Sequence, residues 1–389
     1  MWFFKAPEFF FGEDALSQLE ELSGKRAFIV TDVNIQQLGF VDVVQQHLHE
    51  AGMETAVFPH VEPDPSLQTV RRGANAMNDF EPDWIIGLGG GSCMDAAKAM
   101  WIVYERPDID PAAISPLEDL GLRKKARLIC IPTTSGTGSE SNYAIILTDT
   151  EAQRKLTLGS REATPDIAIV DPYFTMKLPA QITANTGIDV LSHAIEAFSC
   201  TWANDFTDGL CLKAAKMVFG YLPRAVANGG DDDEAREKMA NAASIAGIVL
   251  GNSQVALAHA MGHSAGAVFK TVPHGRITAV FLPYTIEFVG NSGMGRYEDL
   301  ARYLGLGVNG ESNAAQKLAD AVRELMQMVN LPTSLEETGI DKLLLDQHLE
   351  MLVEHVEMDT STMMSRRIPE TEEVEKLFSY AYDGRSIDF

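Results

Sequence analysis

The chain has 389 residues, a formal net charge of −24, 46% hydrophobic and 22% charged side chains. At roughly 150 residues per domain, this length suggests two or three domains with sizeable cores, and the composition excludes a disordered chain. The acidity is spread evenly, with 15 Lys+Arg against 26 Asp+Glu up to residue 180 and 16 against 29 beyond it. Such a surface repels nucleic-acid phosphates and anionic lipid headgroups, so neither a nucleic-acid nor a membrane partner is expected.

The N-terminal stretch MWFFKAPEFFFGEDAL carries a Lys and a Pro and no small-residue cleavage site. It reads as a strand at a domain edge, not a signal peptide. No window reaches the ~18 uninterrupted apolar residues of a membrane span. The cysteines Cys93, Cys130, Cys200 and Cys211 form no C-x-x-C pair, which points to a soluble protein in a reducing cytoplasm.

Strands are predicted at 25–31 (KRAFIVT), 54–58 (ETAVF), 84–88 (WIIGL), 127–131 (RLICI) and 167–170 (IAIV), with a helix over 37–52 that stops at Gly52. Strands alternating with helical connections imply a parallel sheet, which binds ligands at the carboxyl ends of its strands. The segment WIIGLGGGSCMDAAK (84–98) runs from a buried strand through three glycines into a helix, where bare amides and the helix dipole suit a phosphate. It lacks the usual G-x-G-x-x-G order, so a plain tight turn is the alternative. A second loop, PTTSGTGSE (132–140), offers five hydroxyls to ribose and phosphate oxygens. Asp32 ends the first of these strands, where a carboxylate either binds adenosine-ribose hydroxyls or caps a helix.

Beyond 175–182 the chain turns to long amphipathic stretches, such as 189–198, 208–219, 234–250 and 313–328, so the domains are placed at 1–180 and 181–389. The acidic run DDDE at 231–234 reads as a solvated loop. His259 and His263 lie one turn apart on one helix face, His274 follows in Val272-Pro273-His274-Gly275, and Asp189 and His193 are four apart on another helix. One carboxylate and several imidazoles suit Fe(II), Zn(II) or Ni(II), and such an ion could bind an alcohol oxygen or polarise a carbonyl.

Together the motifs GGGSCMDAAK (89–98), PTTSGTGSE (132–140), PDIAIVDP (165–172), TGIDVLSHAIEAF (186–198) and HAMGHSAGAVFKTVPHG (259–275) resemble the iron-dependent (group III) alcohol dehydrogenase family, in the superfamily with glycerol dehydrogenase and dehydroquinate synthase. The resemblance implies a Rossmann-like α/β nucleotide-binding domain followed by an all-α domain, a dehydroquinate synthase-like fold. It implies Asp189, His193, His259 and His274 as metal ligands, with His263 as an additional active-site histidine. Gly90, Gly91, Ser92 and Asp95 match its pyrophosphate loop, Thr133, Thr134 and Thr137 its second nucleotide loop, and Lys155 a lysine beside the cofactor. Asp32 matches an acidic position that accompanies NAD more than NADP. Departures are the ten residues between His263 and His274, Cys93-Met94 in the glycine loop, and Ser365-Arg366-Arg367-Ile368-Pro369 where Asn-Pro-Arg is frequent.

The expectation is therefore an NAD-linked alcohol dehydrogenase holding one divalent metal, Fe(II) ahead of Zn(II), and interconverting a small alcohol or diol with its aldehyde or ketone. His263 and His274 would help pass the hydroxyl proton to solvent. Rival readings are a zinc-dependent polyol dehydrogenase, a metal-dependent phosphohydrolase and a non-catalytic nucleotide-binding protein. A homodimer or higher homo-oligomer is implied by the resemblance.

Overall fold

The computed structural model describes residues 3–152, 154–308 and 310–389. The chain forms two compact units, Met1–Lys177 and Leu178–Phe389.

In the first unit, strands β1 (Glu8–Phe11), β2 (Arg26–Val30), β3 (Glu54–Phe58), β4 (Trp84–Gly89) and β5 (Arg127–Pro132) form a parallel sheet with a last strand, Ile167–Val170. Between β5 and that strand lies a separate antiparallel hairpin, β6 (Ala144–Asp149) and β7 (Arg154–Gly159), so the last sheet strand is β8. The sheet order is β1-β8-β5-β4-β2-β3. Side chains alternate between its faces. Ala27, Ile29, Ile86, Leu88, Ile129 and Ile131 join one core cluster, while Phe28, Val30, Ile85, Leu128 and Cys130 join another on the opposite face. Burial on both faces explains why the strands read as continuous apolar runs.

Among the described residues this unit has four α-helices: α1 (Val33–Gln37), α2 (Phe40–Glu50), α3 (Leu67–Phe80) and α4 (Gly91–Glu105). The helix read over 37–52 begins later, because Gly39 in the left-handed region (φ +78°) separates α1 from α2. The chain runs from β2 to its neighbour β3 and then crosses back to β4 on the other side of β2. The carboxyl ends of β2 and β4 therefore flank a topological switch point, the place where open α/β sheets bind ligands.

The second unit is helical among the described residues: α5 (Ala180–Ser199), α6 (Asp205–Asn228), α7 (Asp233–Asn252), α8 (Leu257–Val268), α9 (His274–Asn291), α10 (Tyr297–Tyr303), α11 (Glu311–Met328), α12 (Lys342–Met358) and α13 (Thr371–Asp383). Helix α5 is buried along nearly its whole length from Thr183 to Ser199, so its polar residues Asp189, His193 and Glu196 lie inside the bundle. The DDDE run is solvated, as its charge suggests, but it leads from a short 3-10 turn into α7, with Asp232 capping the helix through the Ala235 amide and pairing with Arg224. No single helix among the described residues is long and apolar enough to cross a membrane.

Candidate functional site

The site in the helical unit starts from the periodicity of α5 and α8. Asp189 and His193 are one turn apart on α5, and His259 and His263 one turn apart on α8, so each pair points to one side of its helix. His274 is the first residue of α9, directly after the cap residue Pro273. Gly275 lets that helix start meet α5: a Cβ at this position would stand 2.2 Å from the Asn185 carbonyl and 2.9 Å from Asp189 Cβ.

The side chains converge. His259 Nε2 lies 3.7 Å and His274 Nε2 4.0 Å from Asp189 Oδ1, and His193 Nε2 lies 3.8 Å from Asp189 Oδ2. His193 and His259 stack with centroids 4.9 Å apart. Asp189, His193 and His259 are buried and offer ligand atoms all within 4.8 Å of one another. Asp189 Oδ1, His193 Nδ1 and His259 Nε2 are buried with no hydrogen-bond partner. Orphaned polar atoms this deep are costly. An ion with ligands at ~2.1 Å would need them roughly 3.4 Å apart, close to the separations observed.

Electrostatics agree with a cation site. Burial pushes the Asp189 carboxyl up, but the charges of His193, His274, His259 and His263 outweigh it and hold Asp189 below its ordinary value. Burial, with the neighbouring histidines, drives His259 well below the ordinary imidazole value. An ionised Asp189 beside an unprotonated His259 is a protonation state that suits a transition metal.

Two carboxylates that the sequence motifs had not singled out support these imidazoles. Glu196, fully buried on α5, hydrogen-bonds His259 Nδ1 and accepts the Ala258 amide at 2.6 Å. Burial raises Glu196 to about 7. Its sequence signal was its position three residues after His193, on the same face of α5. Asp359, just past α12, accepts from His263 Nδ1 at 2.8 Å and from the Ser361 amide at 2.8 Å. Burial raises Asp359, but these bonds and the His263 charge bring it down to about 2. The His263 ring stacks on His274 with centroids 5.5 Å apart.

In the first unit, Asp32 follows β2 and Gly90 follows β4, on the two sides of the switch point. Asp32 caps α1: its Oδ1 accepts from the Asn34 and Ile35 amides at 2.7 and 3.0 Å, the helix-cap alternative of the sequence reading. Its Oδ2 meets the Cys93 thiol at 3.4 Å. Gly90 caps α4 and Gly91 begins it, and a Cβ on Gly91 would stand 2.9 Å from Thr137 Cγ2. The glycine and hydroxyl loops therefore touch, with Thr133 N donating to the Gly89 carbonyl at 3.0 Å. Thr134 lies beside Gly90. Ser92 Oγ accepts from the Asp64 amide at 3.4 Å, and Lys155 pairs with Asp64 at 2.7 Å, which brings Lys155 to the glycine loop. Asp95, by contrast, is turned into the unit: Ser139 Oγ and the Ile146 amide occupy its two oxygens.

A parallel sheet with a glycine loop at its switch point, followed in the chain by a helical unit with a buried Asp-His cluster able to hold a metal ion, fits the class of metal-dependent, nucleotide-binding oxidoreductases. Residues 6–172 match the model of iron-containing alcohol dehydrogenases, and residues 183–382 that of the C-terminal part of the Fe-containing alcohol dehydrogenase family. The chain belongs to the iron-containing alcohol dehydrogenase family and is an oxidoreductase acting on CH–OH groups. It is 38% identical over 384 residues to the NADPH-dependent butanol dehydrogenase of Clostridium saccharobutylicum, covering 98% of each chain. It is 40% identical over 409 residues to aldehyde-alcohol dehydrogenase 2 of Entamoeba histolytica, where it covers 98% of this chain but 46% of the relative, about half its length. The iron-containing alcohol dehydrogenase structure from Thermococcus thioreducens superposes with a TM-score of 0.89 at 32% identity, over 99% of this chain and 100% of that one.

Proposed function

We propose that the chain interconverts a small alcohol or diol with its aldehyde or ketone, using NAD(H) and Fe(II) held by Asp189, His193, His259 and His274. The observation that carries this reading is the buried convergence of Asp189, His193 and His259, in which the unpartnered Asp189 Oδ1 and His259 Nε2 face each other at 3.7 Å. A divalent ion there supplies Lewis acidity toward the substrate oxygen. The chain's own residues do the rest. Asp189 contributes the single negative charge of the set. Glu196 holds the Nδ1 side of His259 and leaves Nε2 turned to Asp189. Because an ionised Asp359 only accepts, the proton on the bond to His263 belongs to Nδ1, and in the neutral ring Nε2 can take a hydroxyl proton. His274, with its side chain 44% exposed, stands stacked on His263 on the way to solvent. A bound nicotinamide would supply the hydride chemistry, which is the cofactor's own.

Preference for NAD is part of the proposal, and Asp32 supports it, since a fixed carboxylate at that strand end repels a 2′-phosphate. The Clostridium relative is named NADPH-dependent, so this point needs its own measurement. The four cysteines, all free and buried, support a cytoplasmic setting. Edge strand β1, with Phe11 exposed, supports self-association into a dimer. The test is absorbance of reduced nicotinamide with C2 to C6 alcohols and diols, comparing NAD with NADP and metal-free protein with Fe(II)- and Zn(II)-loaded protein. Turnover with no added or bound metal would sink the reading.

A further inference from the structure

Buried charged groups with no part in the metal chemistry gather beneath the two nucleotide loops of the first unit. Lys98 on α4 is fully buried, and its ammonium donates to Ser139 Oγ at 2.7 Å and to the Ala144 carbonyl at 2.9 Å. The Ser139 hydroxyl donates in turn to Asp95 Oδ1 at 2.5 Å, and Asp95 Oδ2 accepts the Ile146 amide at 3.0 Å. Asp95 and Lys98 are themselves 3.7 Å apart. Both charges thus come from the helix that the glycine loop opens. The hydroxyl joining them comes from the end of the hydroxyl-rich loop, and the remaining partners come from β6.

Burying an ammonium and a carboxylate costs desolvation, and apolar side chains of similar volume often serve stability as well. What the charged cluster adds is registration, because one hydroxyl that accepts from the cation and donates to the anion fits only one alignment of the two segments. The loops above it are already joined by the Thr133 amide on the Gly89 carbonyl, and a Cβ added at Gly91 or Gly90 would meet Thr137 or Thr134.

We propose that Asp95 and Ser139, together with Lys98, are positioning residues that lock the glycine loop and the hydroxyl-rich loop into one preformed cradle for the pyrophosphate of the dinucleotide. Asp95 then serves the cofactor without touching it. The inference rests on the nicotinamide reading given above. A cradle held before the ligand arrives lowers the ordering cost of binding.

The test uses the full-length protein. Metal-free wild type, Ser139→Ala, Ser139→Thr and Asp95→Asn are titrated with NADH by nicotinamide fluorescence, and melting temperatures are recorded beside the affinities. Ser139→Ala should weaken NADH binding by about tenfold, the scale of one lost charge-assisted bond. Ser139→Thr, which keeps the hydroxyl, should restore the wild-type Kd. In loaded enzyme the KM for NAD should rise in Ser139→Ala with the alcohol KM unchanged. Leu48→Ala, buried in α2 on the far face of the sheet, lowers the melting temperature without this loss of affinity. Should Ser139→Ala fail to fold, Asp95→Asn carries the same expectation. Wild-type affinity in the soluble variants, or equal loss in Leu48→Ala at matched melting temperature, overturns the inference alone. A wild type that binds neither NADH nor NADPH overturns the cofactor reading and the inference with it.

Discussion

The carboxylate of Glu196 on α5 grips Nδ1 of His259 on α8 inside the helical bundle, with both side chains almost free of solvent. This bond fixes the ring so that Nε2 faces Asp189 at 3.7 Å. Carboxylates in this position orient a metal-binding imidazole and raise its basicity. Glu196→Gln should therefore weaken Zn(II) or Co(II) binding by about 10- to 100-fold, read by competition with a chromophoric chelator. Unchanged affinity would show that packing alone places His259.

Glu196 also sets a pH dependence in the metal-free protein. Its folded pKa of about 7 lies above the ordinary 4.5, so the folded chain binds this proton more tightly than the unfolded chain does. Its contribution is favourable below pH 4.5 and is lost as pH rises toward 7, by up to about 3 kcal/mol for a shift of this size. Asp359 acts in a separate window. Its pKa, depressed to about 2, supports the fold above pH 4 and loses that effect as pH falls below it. Urea unfolding of metal-free wild type and Glu196→Gln at pH 4.5 and 7.5 checks the first window. The wild type should lose ground relative to the variant as pH rises, and parallel curves would refute the assignment.

Asp359 determines which nitrogen of His263 is free. In Asp359→Asn the amide can donate to Nδ1, which moves the ring proton to Nε2 and removes the acceptor. The expected result is a fall in kcat of roughly 100-fold, within the usual range for acid–base catalysis, with metal content unchanged. Nitrogen-15 shifts of the His263 ring in metal-free protein should show the tautomer change directly. A variant with the wild-type tautomer and kcat would remove His263 from the proton path.

His274 depends on backbone contact. Gly275→Ala puts a methyl against the Asn185 carbonyl, where 2.2 Å is impossible without moving the start of α9. The variant should keep the buried Asp189, His193 and His259 set yet bind metal more weakly, by at least about tenfold as one ligand is displaced. Metal analysis after dialysis at fixed free Zn(II) decides this, and full occupancy would mean that α9 can shift at no cost.

Legibility followed the range of the interactions. Strands buried on both faces wrote themselves as apolar runs, and Ile167–Val170 was read with its observed bounds. The hairpin Ala144–Asp149 with Arg154–Gly159 was not foreseen, because only one of its faces is buried and Ile145 and Leu147 find their core only through the packing of neighbouring helices. The imidazoles were legible because one helix turn brings their partners within four residues. Asp359 stands 96 residues from His263 and left no local pattern. Asp95 shows the same limit: its place in a glycine loop suggests a ligand, and only the packed unit turns its carboxylate to Ser139 and the Ile146 amide.

Asp32 combines two roles that a substitution can separate. Its Oδ1 caps α1 through two amides, and its charge stands at the switch-point end of β2. Serine retains a capping oxygen while removing the charge, so Asp32→Ser should change stability by only a few tenths of a kcal/mol, against about 1 kcal/mol for Asp32→Ala. Both variants should shift preference toward NADPH, because the repulsion of a 2′-phosphate disappears with the carboxylate. The ratio of kcat/KM for NADH to that for NADPH, measured beside urea midpoints, separates the effects. If the ratio stays at the wild-type value in Asp32→Ser while Asp32→Ala only loses stability, Asp32 is a helix cap alone and the choice of cofactor is made elsewhere.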